Sequence, residues 1–219
     1  MKQQLELGGP KVQYGKRIIL SDAYLSIQTG QINGLLGRNG SGKSTLMKLL
    51  FGSLRNENSW IRHQTNVLTK PAYRHTNLIQ YLPQTTFLPG HLSIQTAIHW
   101  IVTNRAKAAA LLQQYQLDHK QRCEILSEGQ RRLFEASLLL NSETQFLLLD
   151  EPFTRLSPLQ AEEMAALIKS KKDEKGILVS DHDYHAVIKI SDTVTLLSNG
   201  VTRKMENEVD LIAAGYLPG

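Results

Sequence analysis

The octapeptide Gly37-Arg38-Asn39-Gly40-Ser41-Gly42-Lys43-Ser44 constrains this chain more than any other stretch. It fits G-x-x-x-x-G-K-[ST] and has the context that pattern requires. An apolar strand, Ile32 to Leu36, runs into it. A segment with helical spacing, Lys43 to Leu54 with Leu46, Leu49 and Leu50 on one side, leaves it. Glycines let successive backbone N–H groups turn inward and form a nest for an anion. The following helix aims its positive end at the same spot. Lys43 adds a full charge for β- and γ-phosphates, and the Ser44 hydroxyl is a ligand for Mg²⁺.

The rest of the chain fits a sheet built around that loop. The segment up to about Ile27 reads as short strands, from the apolar Arg17–Leu20 and the alternating Tyr24–Ile27. Leu78 to Leu82 is another strand. Gln145–Leu149, Ile177–Ser180 and Val194–Leu197 are apolar without alternation, as strands with both faces buried are. Helical spacing recurs from Ser93 to Gln116, from about Gly129 to Leu140, and from Ser157 to Lys171. Buried strands alternating with helices predict a parallel sheet covered on both faces. The helical stretch from about 85 to 142 interrupts the alternation and reads as an inserted subdomain.

Two acids end the apolar strand at Phe146–Leu149. Ligands of such sheets bind at the carboxyl ends of the strands. Asp150 is the candidate to hold Mg²⁺, and Glu151 the candidate to polarise an attacking water. Twenty residues before Asp150, Leu126-Ser127-Glu128-Gly129-Gln130 opens a helix.

That pentapeptide resembles the LSGGQ signature of ATP-binding cassette (ABC) ATPases. Other residues fall in the family's order. Gln84 matches the Q-loop glutamine, and Thr154-Arg155-Leu156-Ser157 occupies the D-loop. His182 matches the switch histidine, and Tyr14 the aromatic that stacks on adenine. The resemblance runs from about residue 3 to about 205. It implies a P-loop NTPase α/β fold: a parallel-sheet core, an N-terminal antiparallel β-subdomain and an inserted α-helical subdomain carrying the signature. One domain, 1–219, is expected, with 1–84 and 143–219 as nucleotide-binding core and 85–142 as helical subdomain.

The resemblance also implies the site. ATP is expected against Tyr14, Gly37, Asn39, Gly40, Ser41, Gly42, Lys43, Ser44 and Thr45 of one cassette. Ser127, Gly129 and Gln130 of a second cassette, the same chain or a related subunit, complete it. Mg²⁺ falls to Ser44, Gln84 and Asp150. Glu151 is the expected general base, with His182, Lys43 and Gln84 as its catalytic partners. Three residues depart from the family pattern. Ser157 stands for the usual D-loop aspartate, so coupling of the two sites is expected to be weaker or differently built. Glu128 stands for a glycine, where a carboxylate lowers ATP affinity by repulsion. Leu138 stands where many members have arginine.

Composition sets the setting. No apolar run approaches the ~20 residues a bilayer span needs. The start, MKQQLELGGP, has no apolar signal core. The single cysteine, Cys123, fits a reducing compartment. A cytoplasmic ATPase is expected, peripheral on the membrane and docked on a separate transmembrane permease. Phe87, Leu88, His91 and Trp100 are candidates for the docking groove, although for Trp100 the packed interior is favoured. The net charge of +5 is spread along the chain. Its densest run, Lys169 to Lys175, reads as a solvated helix end, and no nucleic acid is expected as a partner. The alternatives are a soluble ABC ATPase, of iron–sulfur assembly type or another non-transport role, and a degenerate cassette that hydrolyses ATP poorly. Substrate and direction of transport stay open.

Overall fold

A computed structural model describes residues 2–115 and 118–217. The chain opens with β1 (Gln4–Gly8), β2 (Val12–Tyr14), β3 (Arg17–Leu20), β4 (Tyr24–Gln28) and β5 (Gln31–Leu36). Helix α1 (Lys43–Phe51) follows, then β6 (Trp60–His63), β7 (Asn66–Val67) and β8 (Ile79–Leu82). Three helices come next: α2 (Ile94–Ile101), α3 (Arg105–Gln114) and α4 (Glu128–Leu140). The remainder is β9 (Phe146–Asp150), α5 (Pro158–Ser170), β10 (Gly176–Ser180), α6 (Tyr184–Ile190), β11 (Thr193–Ser198), β12 (Val201–Met205) and α7 (Glu208–Ala213).

The main sheet has the order β12-β11-β5-β10-β9-β8. Its strands run parallel from β11 to β8, and β12 is antiparallel at one edge. Asn199 and Gly200, both at positive φ, make the two-residue turn into β12. A second sheet, β4-β1-β6-β7, is antiparallel. Strands β9 and β10 are buried throughout because each feeds two cores. Phe146, Leu148 and Leu178 pack with Leu46, Leu49 and Leu50 of α1 and with the β1–β4 sheet. Leu147, Leu149, Ile177 and Val179 face the other way, onto Met164 and Ile168 of α5 and Val187 of α6. A strand with no polar face is the consequence.

The helices between β8 and β9 have a core of their own, in which Leu88, Ile98, Cys123, Phe134 and Leu138 meet. Leu138 is thus a core residue of the helical insertion. Five expectations need correction. The helical pattern expected from Ser93 to Gln116 is two helices, broken at 102–104. The Asn104 side chain accepts from the amides of Ala106 and Lys107 and starts α3 afresh. Gln116 lies outside the described residues. Helix α1 stops at Phe51, three residues short of Leu54, because Gly52 takes the left-handed cap conformation. Trp100 is 67% exposed, not interior, whereas Leu88 is buried and does not line a groove. Lys175 is not solvated either: it is buried, and its ammonium donates to the carbonyls of Ser142 and Thr144 at 2.6 and 2.7 Å.

Candidate functional site

The loop after β5 is held in its shape by glycine. Gly42 has φ +107, and a Cβ there would lie 2.7 Å from Ile19. It is the N-cap of α1, and no side chain caps that end. The first amides of α1 are therefore left without intrahelical partners. Lys43 is buried, and its Nζ donates to the carbonyls of Gly37 (2.7 Å) and Arg38 (3.4 Å). Among the described residues it forms no ion pair. Burial pulls its pKa down, and the charges of Glu151, Asp150 and Asp181 pull it back up. A buried cation satisfied only by two carbonyls, beside open amides, suits a phosphate.

One cavity of about 500 Å³ gathers most of the expected residues. Tyr14, Asn39, Gly40 and Gly42 line it, with Lys43, Ser44 and Thr45 at the helix start, and with Gln84, Glu151 and His182. Tyr14 is 57% exposed, so its ring is free to stack. Gly37 and Ser41 are not in this wall. Ser41 lines an adjoining cavity of about 530 Å³. Asp150 lies behind the wall, 2% exposed. The Tyr81 hydroxyl donates to its Oδ2 at 2.7 Å. Burial raises the Asp150 pKa, against the pull of the Tyr81 and Ser44 hydroxyls. Burial and the Asp150 charge together push the Tyr81 phenol up. Among the described residues no group of three or more His, Cys, Asp or Glu is placed to hold a metal by itself. A hard divalent ion here would have the Asp150 carboxylate and the Ser44 hydroxyl, completed by phosphate oxygens and water, which is how Mg²⁺ is usually held.

Glu151 leaves the strand with φ +53, a left-handed conformation, and its amide donates to the Ser180 carbonyl at 2.6 Å. The Thr154 hydroxyl donates to its Oε2 at 3.2 Å. His182 has Nδ1 3.0 Å from Oδ1 of Asp181. Asp181 is fully buried and accepts from the amides of Phe153 (2.9 Å) and Asp183 (3.1 Å). Burial raises its pKa, and those amides hold it back. The imidazole thus lies beside a carboxylate that is itself fixed by backbone.

Sequence reasoning missed four supports of this site. Arg17 lines the cavity and donates to the Gly40 carbonyl at 3.0 Å. Tyr81 anchors Asp150, and Asp181 lies beside His182. Arg132, on α4, is buried and donates to the carbonyls of Pro83 (2.6 Å), Asp150 (2.6 Å) and Glu151 (3.0 Å). It ties the helical insertion to the residue before Gln84 and to both strand-end acids. Tyr81 carried a signal. Period 2 puts it on the same face of β8 as Ile79, and it pairs with Leu148, two residues before Asp150 on β9. Arg132 carried none beyond its place one turn into the signature helix.

Ser127, Gly129 and Gln130 lie outside the cavity. Ser127 caps α4, and the Gln130 side chain accepts from the Ser127 amide, a closed capping box. Gly129 is buried against α5, where a Cβ would meet the Gln160 side chain at 2.5 Å.

Residues 20–154 match the family described as ABC transporter. The chain belongs to the ABC transporter ATP-binding family. The cassette is 31% identical over 214 residues to a probable ABC transporter ATP-binding protein of Azorhizobium caulinodans, covering 92% of this chain and 76% of that one. It is 27% identical over 204 residues to the lipopolysaccharide export system ATP-binding protein LptB of Escherichia coli K12, covering 87% and 84%. Its fold matches an ATP-binding subunit of an ABC transporter with a TM-score of 0.83 at 22% identity, over 98% of this chain and 95% of that one. A bacterial Atm1-family ABC exporter with ATP bound also superposes at 0.83, at 18% identity, over 97% of this cassette and 40% of the exporter chain. The α/β architecture with its antiparallel β-subdomain is that of ABC ATPase cassettes.

Proposed function

We propose that this cassette hydrolyses ATP with Mg²⁺ and drives a transporter by ATP-dependent pairing with a second cassette. The observation that carries the reading is the cavity in which Lys43, Ser44, Gln84, Glu151 and His182 converge while Ser127 to Gln130 lie outside it. The first group is one half of an ATP site; the second needs another cassette's phosphate to act on. Lys43 and the α1 amides hold the β- and γ-phosphates. Mg²⁺, when bound, neutralises charge developing on the transferred phosphoryl group, with Ser44, Asp150 and Gln84 as its protein side. Glu151 accepts the proton of the attacking water, and His182, steadied by Asp181, orients the γ-phosphate. Positioning and electrostatics dominate such chemistry.

One domain is proposed, with 1–84 and 143–219 as its nucleotide-binding part and 85–142 as its helical part. No helix among the described residues is long and apolar enough to cross a membrane. A separate permease is proposed as the membrane partner, with the cassette peripheral on its cytoplasmic side. The names of the relatives support transport. The exposed Trp100 and His91 are proposed to belong to the docking face.

The test is Glu151→Gln. It is expected to bind ATP normally, to lose turnover by about 10³-fold, within the range for removal of a catalytic base, and to sediment as a dimer with ATP. Turnover within a few-fold of the parent overturns the role of Glu151. Co-purification from detergent-solubilised membranes with a polytopic protein tests the docking; recovery without one favours a non-transport ATPase.

A further inference from the structure

We infer that Arg155 is a positioning residue: it neutralises Glu128 so that the first turn of α4 can receive a phosphate. This rests on the dimer reading proposed above. The capping box occupies the Gln130 amide and the Ser127 hydroxyl, so the open donors at this helix end are the amides of Glu128 and Gly129. Glu128 puts a carboxylate on the residue that carries one of those donors. An anion approaching them would meet a like charge.

Arg155 removes that charge. Its Nη1 lies 3.2 Å from Oε1 of Glu128, across 27 residues of chain. Both side chains are largely exposed, at 69% and 74%. An exposed pair of this kind contributes little to stability, so stability does not account for it. The backbone at Arg155 is held at φ +63, a left-handed conformation uncommon for a residue with a long side chain. Non-glycine residues persist there only where the surroundings over-determine them. Those surroundings are the site itself: Thr154, just before, is bonded to Glu151, and Ser157, just after, caps α5. Arg131 is nearer in sequence but does not serve. It is turned inward, hydrogen-bonded to the Leu88 carbonyl and 3.8 Å from buried Glu135. Among the described residues Arg155 is the cation paired with Glu128. Both charges border the polar cleft that runs from Gln84 to the signature helix.

The pair also accounts for the carboxylate that departs from the family pattern. Glu128 at the signature and Arg155 in the D-loop cancel each other, and the helix end keeps its net positive character.

The experiment measures ATP-dependent dimerisation by sedimentation in the Glu151→Gln background. Arg155→Ala is expected to weaken the dimer about tenfold at low salt, the order for one uncompensated charge near a phosphate in a partly solvated interface. Raising salt from about 50 to about 500 mM should shrink that gap, because screening acts on exposed charges. Arg155→Lys should stay within about twofold of the parent, and so should Arg155→Ala combined with Glu128→Gln, since both leave no net charge at the pair. A dimer unchanged by Arg155→Ala, or a double variant as weak as Arg155→Ala alone, overturns the inference and leaves the dimer reading standing. A Glu151→Gln parent that stays monomeric with ATP overturns both.

Discussion

Two helix ends of this cassette, both proposed to meet phosphate, are built in opposite ways. At α1 the cap is Gly42, which offers no side chain, and the neighbouring charge is the buried cation of Lys43. At α4 the cap is Ser127, closed into a box with Gln130, and the neighbouring charge is the carboxylate of Glu128. The first end is unfinished without a ligand. The second is chemically content alone, with two donors left over. A helix N-terminus is thus not one kind of structure: the two differ in what stands at the cap and in the first turn.

The largest expected effect tests the first half of that contrast. Lys43→Ala should weaken equilibrium ATP binding to the monomer by about a hundredfold, the order for losing a charge-assisted contact in a desolvated site. Gly129→Ala should leave monomer binding alone while displacing Gln160, whose side chain lies 2.5 Å from the added carbon. If the two variants weaken monomer binding equally, the contrast is broken. Arg132→Met ranks next. Three carbonyls lose their donor, at a cost of about 2–3 kcal/mol in chemical denaturation, and turnover should fall more than nucleotide affinity because Gln84 and Glu151 are no longer tied together. The cap comparison is smaller. Ser127→Ala should cost about 1 kcal/mol of stability, and so should Ser157→Ala on α5, whereas α1 has no side-chain cap to lose.

A pH dependence sharpens a third helix-end contact. Lys175 supplies donors to the chain just beyond α4, and burial pulls its pKa from 10.5 to about 8. Between those values the unfolded chain binds the extra proton, so stability rises with pH. Measured against Lys175→Met, the parent should gain stability from about pH 8 to pH 10.5, and lose it as pH falls back through that window to the folded pKa. A difference that stays flat across that window contradicts a depressed lysine.

The α1 end is legible in the sequence because its meaning is local: a strand, a glycine-permitted loop and a helix, all within Ile32 to Leu50. Strands β9 and β10 are legible too, since burial on both faces strips them of polar residues. What stays hidden depends on tertiary neighbours. Trp100 and Ile98 look alike in a helical apolar pattern, and only the third dimension leaves one exposed and the other in the core. Lys175 closes a run of charges, yet its ammonium folds back onto two carbonyls. Arg132 and Asp181 carry no spacing that announces them, because the carbonyls of Arg132 and the Phe153 amide of Asp181 are far along the chain. Strands β6, β7 and β12 are short or partly exposed and lack a strong period. Ser157, a departure from aspartate in the family pattern, has local work as the cap of α5.

Gln160 has a consequence for how such a cassette can change over generations. Its side chain closes the box over Ser157 and fills the space above Gly129. A mutation at any one of these three positions alters the ground on which the other two stand. Lineages of this chain should therefore exchange them as a set, and a single swap borrowed from a distant cousin should be tolerated less well than the trio transplanted together.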